Sequence, residues 1–181
     1  GREGGRAKLA EFWRRISEVG ARFSPVHSAP WDVFYSGALH EDTTPAYLAF
    51  QAMTQIWSPY QLNPFDFNPL RDLLNETVDF EKLRQCRRAT RLFLSATNVR
   101  TGKVKIFENA QVSLDVVMAS LSVPNLIKAV EVGGEHYWDG GFMGNPALFP
   151  LFYRGASADV IIVHINPLER PEVPTTAPEI L

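Results

Sequence analysis

The stretch Tyr137-Trp138-Asp139-Gly140-Gly141-Phe142-Met143-Gly144-Asn145-Pro146 places one acidic residue between an aromatic pair and two adjacent glycines. The dipeptide Asp139-Gly140 alone is typical of a hairpin turn, because both positions tolerate positive φ. Two features favour a functional interpretation as well. The aromatic pair can shield the carboxylate from water, and the glycines provide more backbone freedom than one turn requires. Asp139 is therefore the leading candidate for a site residue, with a plain turn as the alternative.

A carboxylate in this setting can act as a general base. Its ordinary pKa of about 3.9 lies far below that of a hydroxyl group, so an exposed aspartate is a weak base. Enclosure among apolar side chains raises the pKa and improves the match. The hydroxyl must come within about 3 Å of a carboxylate oxygen, and glycines beside Asp139 leave room for that approach. The pattern thus predicts proton transfer from an alcohol to Asp139.

The composition of the 181 residues is that of an ordinary globular domain. Hydrophobic residues make up 45% and charged residues 21%, which excludes a disordered charged tail, and the length predicts a single domain. A formal net charge of −2 gives no electrostatic reason to expect nucleic acid as a partner. The one cysteine, Cys86, cannot form an internal disulfide, which fits a reducing compartment, and we expect a cytoplasmic location. The four histidines are widely scattered, and no spacing among them suggests a zinc site. Neither a metal nor an organic cofactor is expected for this chain.

Hydrophobic periodicity and turn signals predict helices interleaved with strands. Helices are predicted over residues 7–19, 45–57, 68–74, 79–87 and 113–121, and strands over residues 91–97, 103–107, 129–132, 136–138 and 158–165. Gly20 is expected to end the first helix, and a long loop is expected over residues 24–46. The last strand is a continuous β-branched run, which is typical of a strand buried on both faces. This succession of elements indicates an α/β layered domain.

The proline-rich segment of residues 57–70 carries several aromatic residues and allows two interpretations. Its prolines lack backbone donors and restrict the residues before them, so regular structure is not expected. In the first interpretation the aromatic residues form a lip that contacts lipid chains or the membrane interface. In the second, Phe65, Phe67 and Leu70 pin a long loop onto the core. We favour the second, because buried aromatic residues are commonplace.

Four segments together resemble the patatin-like phospholipases over nearly the whole chain: residues 94–103, 118–124, 134–146 and 163–168. Their joint occurrence, in this order and spacing, is much more specific than any one of them. The resemblance implies a three-layer α/β fold, a lipid acyl-ester substrate and a catalytic Ser–Asp dyad. In that family the aspartate belongs to an Asp-Gly-Gly or Asp-Gly-Ala motif, and the matching position here is Asp139.

The serine of that dyad has no counterpart in these residues. The family's nucleophile sits in a Gly-x-Ser-x-Gly elbow, where a strained strand-to-helix turn exposes the hydroxyl, and a glycine-rich loop before it stabilises the oxyanion. None of the ten serines has glycine both two positions before and two positions after it. Ser95 and Ser120 lie inside matching segments, but their predicted strand and helix favour ordinary packing. We therefore expect residues 1–181 to form a single partial domain, incomplete at both ends, that begins after the nucleophile.

The sequence thus predicts the C-terminal portion of a patatin-like serine acyl hydrolase. This portion would contribute Asp139 as general base and would be inactive as an isolated fragment. The alternative is a non-catalytic module of the same fold that binds lipid or protein. Transient contact with a membrane surface would accompany a lipid substrate, and the oligomeric state is left open.

Overall fold

The computed structural model describes residues 2–23, 45–85, 90–144, 147–155 and 159–163. The backbone divides into two compact units, Gly1–Leu148 and Phe149–Leu181. The loop predicted over residues 24–46 lies outside the described residues, except that its last two residues begin a helix. Cys86 and His164 also lie outside them.

The helices of the first unit are α1 (Arg2–Phe23), α2 (Pro45–Ile56), α3 (Pro59–Leu62), α4 (Pro69–Thr77), α5 (Phe80–Gln85) and α6 (Leu114–Leu121). Helix α1 confirms the predicted amphipathic helix and is longer at both ends. The expectation that Gly20 ends it is wrong, since Gly20 lies inside the helix. Glycine costs only about 1 kcal/mol relative to alanine there, and the neighbouring turns continue past it. None of the described helices combines the length and the apolar character needed to cross a bilayer.

Side-chain caps begin three of these helices, at the residues where the predicted ranges begin. Asn68, Ser113 and Asp79 each accept a hydrogen bond from the backbone N–H three residues later, at 3.4, 3.2 and 3.0 Å. Each bond satisfies a donor that has no partner within the helix. Helix α4 continues to Thr77, whose hydroxyl donates to the carbonyl of Leu73 at 2.7 Å. It is therefore longer than predicted.

Four strands form one antiparallel sheet in the order β2-β1-β4-β3, with β1 at Phe93–Asn98, β2 at Val104–Glu108, β3 at Val130–Val132 and β4 at Glu135–Asp139. The four predicted strands of this region are confirmed. A hairpin at Gly133-Gly134 joins β3 to β4, with φ values of 61° and 81°. These values suit the type I′ turn, whose twist matches that of the strands.

Helix α6 packs against one face of the sheet and completes the core of the first unit. The buried cluster consists of Ala96, Phe107, Val116, Ala119 and Tyr137. The rings of Phe107 and Tyr137 meet edge to face with centroids 5.4 Å apart, a favourable arrangement for aromatic pairs. Ala96 lies directly opposite Asp139 on the neighbouring strand, so Asp139 belongs to this same face. Helices combined with a sheet confirm the expected α/β class.

The described part of the second unit contains one helix, α7 (Phe149–Arg154), which was not predicted. The strand predicted over residues 158–165 is wrong for its described part, because residues 159–163 belong to no strand. Ile161 and Val163 are almost fully exposed. A β-branched run forms a strand only when a neighbouring backbone satisfies its donors and acceptors, and the described residues of this unit provide no such neighbour.

Candidate active site

Hydrogen bonds from two other elements hold the backbone of Asp139 at the end of β4. Its N–H donates to the carbonyl oxygen of Ser122, just beyond α6, at 2.9 Å. Its carbonyl oxygen accepts a hydrogen bond from the hydroxyl of Thr97 in β1 at 2.8 Å. Ser122 is fully buried, and its hydroxyl donates to the carbonyl of Met118 at 2.7 Å. Helix and sheet together therefore fix the position of Asp139.

The carboxylate of Asp139 is half-buried and uses one oxygen to cap the turn that follows. Oδ1 accepts a hydrogen bond from the N–H of Gly141 at 2.9 Å, and Gly140–Phe142 form a 3-10 turn. Among the described residues no donor reaches Oδ2. An ionised carboxylate has about four lone-pair sites, so this oxygen can accept a further hydrogen bond.

Gly140 is required by the close approach of β1, not by its dihedral angles. A Cβ at this position would lie 2.3 Å from both the carbonyl oxygen and the hydroxyl oxygen of Ser95. The glycines with positive φ in the described part of the chain are Gly102 and the two hairpin glycines of residues 133–134. The hairpin interpretation of Asp139-Gly140, which depends on positive φ, is therefore wrong. Asp139 itself has a φ of −45°.

Two serines of the matching segments, Ser95 and Ser120, lie inside regular elements, as the sequence predicts. Ser95 precedes Ala96 in β1, and Ala96 lies opposite Asp139. Because successive side chains of a strand point to opposite faces, Ser95 lies on the other face of the sheet from Asp139. Ser120 lies within α6 and not on an exposed strand-to-helix turn.

Strand alternation also separates the two aromatic residues that precede Asp139. Tyr137 is buried in the core and shares a face with Asp139, whereas Trp138 lies opposite Thr97 on the other face. The indole Nε1 of Trp138 is buried and has no hydrogen-bond partner among the described residues. Of the pair, Tyr137 is the residue placed to limit the access of water to the carboxylate.

An ion pair stabilises the far end of β4. The guanidinium of Arg100 donates to both carboxylate oxygens of Glu135, and the side-chain amide of Asn98 donates to Oε2 at 3.1 Å. The hydrogen bonds from Arg100, followed by that from Asn98, lower the pKa of Glu135, and the same pairing raises the pKa of Arg100. Asn98 Oδ1 also accepts from the N–H of Thr101 at 2.9 Å, which closes the turn between β1 and β2.

A cavity of about 460 Å³ lies between α4, α6 and the start of β3, and Asp139 does not line it. Its side chains carry both signs of charge. Arg71 forms an ion pair with Asp115, and Nζ of Lys128 lies 3.9 Å from a carboxylate oxygen of Asp66. Arg71 and Lys128 each have a carboxylate partner, and Glu131 adds a third carboxylate to the described lining, so its charges do not favour an anionic ligand.

The aromatic segment of residues 57–70 departs from the favoured prediction. Phe65 is 94% exposed and Phe67 is 58% exposed, so neither pins the loop onto the core. Leu70 is half-buried in the first turn of α4. The packing interpretation is therefore wrong for both phenylalanines, because neither is buried.

The structure offers no support for a metal centre in the part of the chain that it describes. No group of three or more His, Cys, Asp or Glu residues there could hold a metal ion. Of the four histidines, His136 lies in β4 and is exposed, and the others fall outside the described ranges.

Two residues that position Asp139 were not identified from the sequence, namely Thr97 and Ser122. Both lie in the segments on which the family resemblance rests, and this is the only feature of the sequence that points to them. Spacing cannot reveal their partner, since each bonds to Asp139 across a large separation in sequence. Their roles become visible only when β1, β4 and α6 are brought together.

The family model of patatin-like phospholipases matches residues 5–152 of this 181-residue chain. The matched range contains the whole sheet, helix α6 and Asp139. A search of the curated proteins and a search of the solved structures each found no match.

Proposed function

Because the chain belongs to the patatin-like phospholipase family, we propose that it forms the aspartate-bearing part of a lipid acyl hydrolase. Asp139 is the general base of a Ser–Asp dyad. The serine comes from polypeptide outside these 181 residues, and the substrate is an acyl ester of a lipid.

The observation that carries this proposal is the hydrogen bonding of Asp139. Its backbone is fixed on both sides by Ser122 and Thr97, and Oδ1 is fixed by the N–H of Gly141. Oδ2 accepts no hydrogen bond from the described residues. A residue held by two backbone hydrogen bonds and one carboxylate hydrogen bond, with the second carboxylate oxygen available, needs little rearrangement to accept a proton.

The proposed chemistry uses this arrangement of Asp139. As the serine oxygen attacks the acyl carbonyl carbon, Oδ2 of Asp139 accepts the hydroxyl proton. The tetrahedral intermediate then collapses, the ester C–O bond breaks, and the departing alkoxide takes the proton from Asp139. Water repeats the sequence on the acyl-enzyme and releases the fatty acid and the free serine.

The location of the serine is supported by the sequence and by the positions of the serines near Asp139. No Gly-x-Ser-x-Gly segment occurs in the chain. Ser95 lies on the other face of the sheet, Ser120 lies within α6, and the hydroxyl of Ser122 is engaged with Met118. None of these serines meets the requirement for an exposed nucleophile at hydrogen-bonding distance from the base.

The substitution Asp139→Asn tests the role of the carboxylate in the complete protein. The amide oxygen of asparagine can still accept from Gly141, so the turn is kept while the base is removed. We expect ester hydrolysis to fall by about 10²- to 10⁴-fold. The matched control is Asp79→Asn, because asparagine and aspartate cap a helix about equally well.

Near-normal hydrolysis by a folded Asp139→Asn protein would remove Asp139 from the mechanism. A second test uses residues 1–181 alone, which should not react with a fluorophosphonate probe. Stoichiometric labelling of any serine would contradict the proposed origin of the nucleophile. A complete protein that folds, lacks a Gly-x-Ser-x-Gly segment and hydrolyses no ester would instead support the non-catalytic lipid- or protein-binding module.

A further inference from the structure

The turn of residues 63–67, which we call the phenylalanine turn, holds two large apolar side chains in water. Phe65 and Phe67 are mostly exposed, and Trp57 and Tyr60 nearby are about half exposed. Single exposed apolar residues are normal on protein surfaces, but a concentration of aromatic residues in one short segment marks an interaction site. The exposure therefore needs a reason.

The phenylalanine turn is braced by its own hydrogen bonds. The side-chain amide of Asn63 donates to the carbonyl of Phe67 at 2.8 Å, and its Oδ1 accepts from the N–H of Phe67 at 2.9 Å. The N–H of Asp66 also donates to the carbonyl of Asn63 at 3.2 Å. Asp66 has a φ of 55°, a region that residues other than glycine seldom adopt. These hydrogen bonds brace the turn, and Phe65 is exposed within it.

Contacts on the other side of the turn attach it to the segment before β3. Nζ of Lys128 donates to the carbonyl of Pro64 at 3.1 Å and lies 5.8 Å from the ring centroid of Tyr60. The N–H of Ala129 donates to the hydroxyl of Tyr60 at 3.2 Å. These polar contacts anchor the turn to the body of the first unit, while the ring of Phe65 stays almost fully exposed.

We propose that the phenylalanine turn, together with Trp57 and Tyr60, docks the protein on the surface of an uncharged phospholipid bilayer. This proposal rests on the proposed function only in choosing a lipid as the partner. Tyrosine and tryptophan settle at the boundary between lipid head groups and acyl chains, and phenylalanine enters the apolar side of that boundary. The turn therefore has the composition of an interfacial anchor.

The exposed area and the local charge both favour a bilayer over a second copy of the chain. At about 200 Å² per aromatic side chain, the four residues expose roughly 500 Å². A stable protein interface buries about 800 Å² on each partner, so this surface is too small. The cation beside the turn, Lys128, lies close to the carboxylate of Asp66. Attraction to anionic lipids therefore contributes little, and apolar insertion has to provide the affinity.

The test measures the partitioning of the complete protein onto vesicles of diether phosphatidylcholine, which contains no acyl ester. Binding is then independent of turnover, so its outcome is separate from that of the Asp139 substitution. Phe65→Ala should weaken partitioning by roughly 10- to 100-fold, the loss expected for one phenylalanine side chain that enters the apolar layer. Since Phe65 is almost fully exposed, its replacement removes no packing and should leave thermal unfolding unchanged.

The matched control is Tyr153→Ala, since Tyr153 is also an aromatic residue that is 86% exposed. Its partitioning should equal that of the unmodified protein, and raising the salt concentration should not weaken binding. The proposal would be overturned if the Phe65→Ala protein partitioned as strongly as the unmodified protein. Binding that requires anionic lipid and disappears at high salt concentration would also overturn it. So would a dimer that Phe65→Ala dissociates while vesicle binding is unchanged.

Discussion

The substitution Gly140→Ala should disturb both the fold and the site. The loss of stability that it causes can be worked out from the structure. The new Cβ would lie 2.3 Å from two oxygens of Ser95, one of them in the backbone of β1. Ordinary contact needs at least 3.4 Å, so the strand or the turn must move by about 1 Å. Overpacking of this kind costs about 3 kcal/mol, which corresponds to a fall of roughly 6–12 °C in Tm for a chain of this size.

The neighbouring glycine provides a matched control. A Cβ at Gly141 would meet the carboxylate of Asp139 at 3.5 Å, which is ordinary contact, and neither glycine has positive φ. Gly141→Ala should therefore change the free energy of unfolding by less than about 1 kcal/mol, since the substitution also lowers the entropy of the unfolded chain. Denaturant titration of both variants in the complete protein measures the difference.

A double variant separates the two oxygens of Ser95. Ser95→Ala removes the hydroxyl but leaves the carbonyl oxygen, so it should not restore the stability of the Gly140→Ala protein. In the proposed mechanism ester hydrolysis should fall in parallel, because movement of the turn displaces the carboxylate of Asp139 from the serine of the proposed dyad. Unfolding of the Gly140→Ala and Gly141→Ala proteins at the same denaturant concentration would contradict the close approach of β1 to this turn.

Three further substitutions test the contacts around β4 and α6. Thr97→Val removes the hydroxyl that donates to the Asp139 carbonyl, and we expect a loss of about 1 kcal/mol in denaturant unfolding together with a lower kcat. Ser113→Ala removes the N-cap of α6 and should cost about 1 kcal/mol by the same measurement, with KM unchanged. Glu135→Gln tests a pH dependence. Arg100 lowers the pKa of Glu135 in the folded protein below its ordinary value of 4.5, so the stabilisation is present above that value and is lost as the pH falls through the folded pKa. The difference in unfolding free energy between the original protein and Glu135→Gln should therefore shrink on acidification below pH 4.5, and a difference that stays constant would contradict the pairing.

Local interactions explain why much of the fold could be predicted from the sequence. The caps at Asn68, Asp79 and Ser113 bond to a backbone N–H only three residues away, so a short window of sequence contains both partners. The hairpin at residues 133–134 depends on the positive φ of the two glycines themselves. The resemblance that identified the family likewise rests on contiguous segments, and the family match confirms it.

Tertiary contacts explain the remaining differences. Position 140 needs glycine because Ser95, which is distant in sequence, lies too close for a Cβ. The Asp-Gly dipeptide by itself indicates a different reason, namely a turn with positive φ. Thr97 and Ser122 acquire their roles only through the pairing of β1 with β4 and the packing of α6. The exposure of Phe65 depends on the bracing of its turn by Asn63, which opposes the usual tendency of aromatic residues to be buried.

Helix α6 links the polar cavity at one end to the backbone of Asp139 at the other. At its first turn Asp115 pairs with Arg71 on the cavity wall, and just past its last turn the carbonyl of Ser122 holds Asp139. The eight residues of α6 span only about 12 Å, so its two ends belong to one short element. A displacement of α6 at Asp115 would therefore also move the carbonyl oxygen that holds the backbone N–H of Asp139.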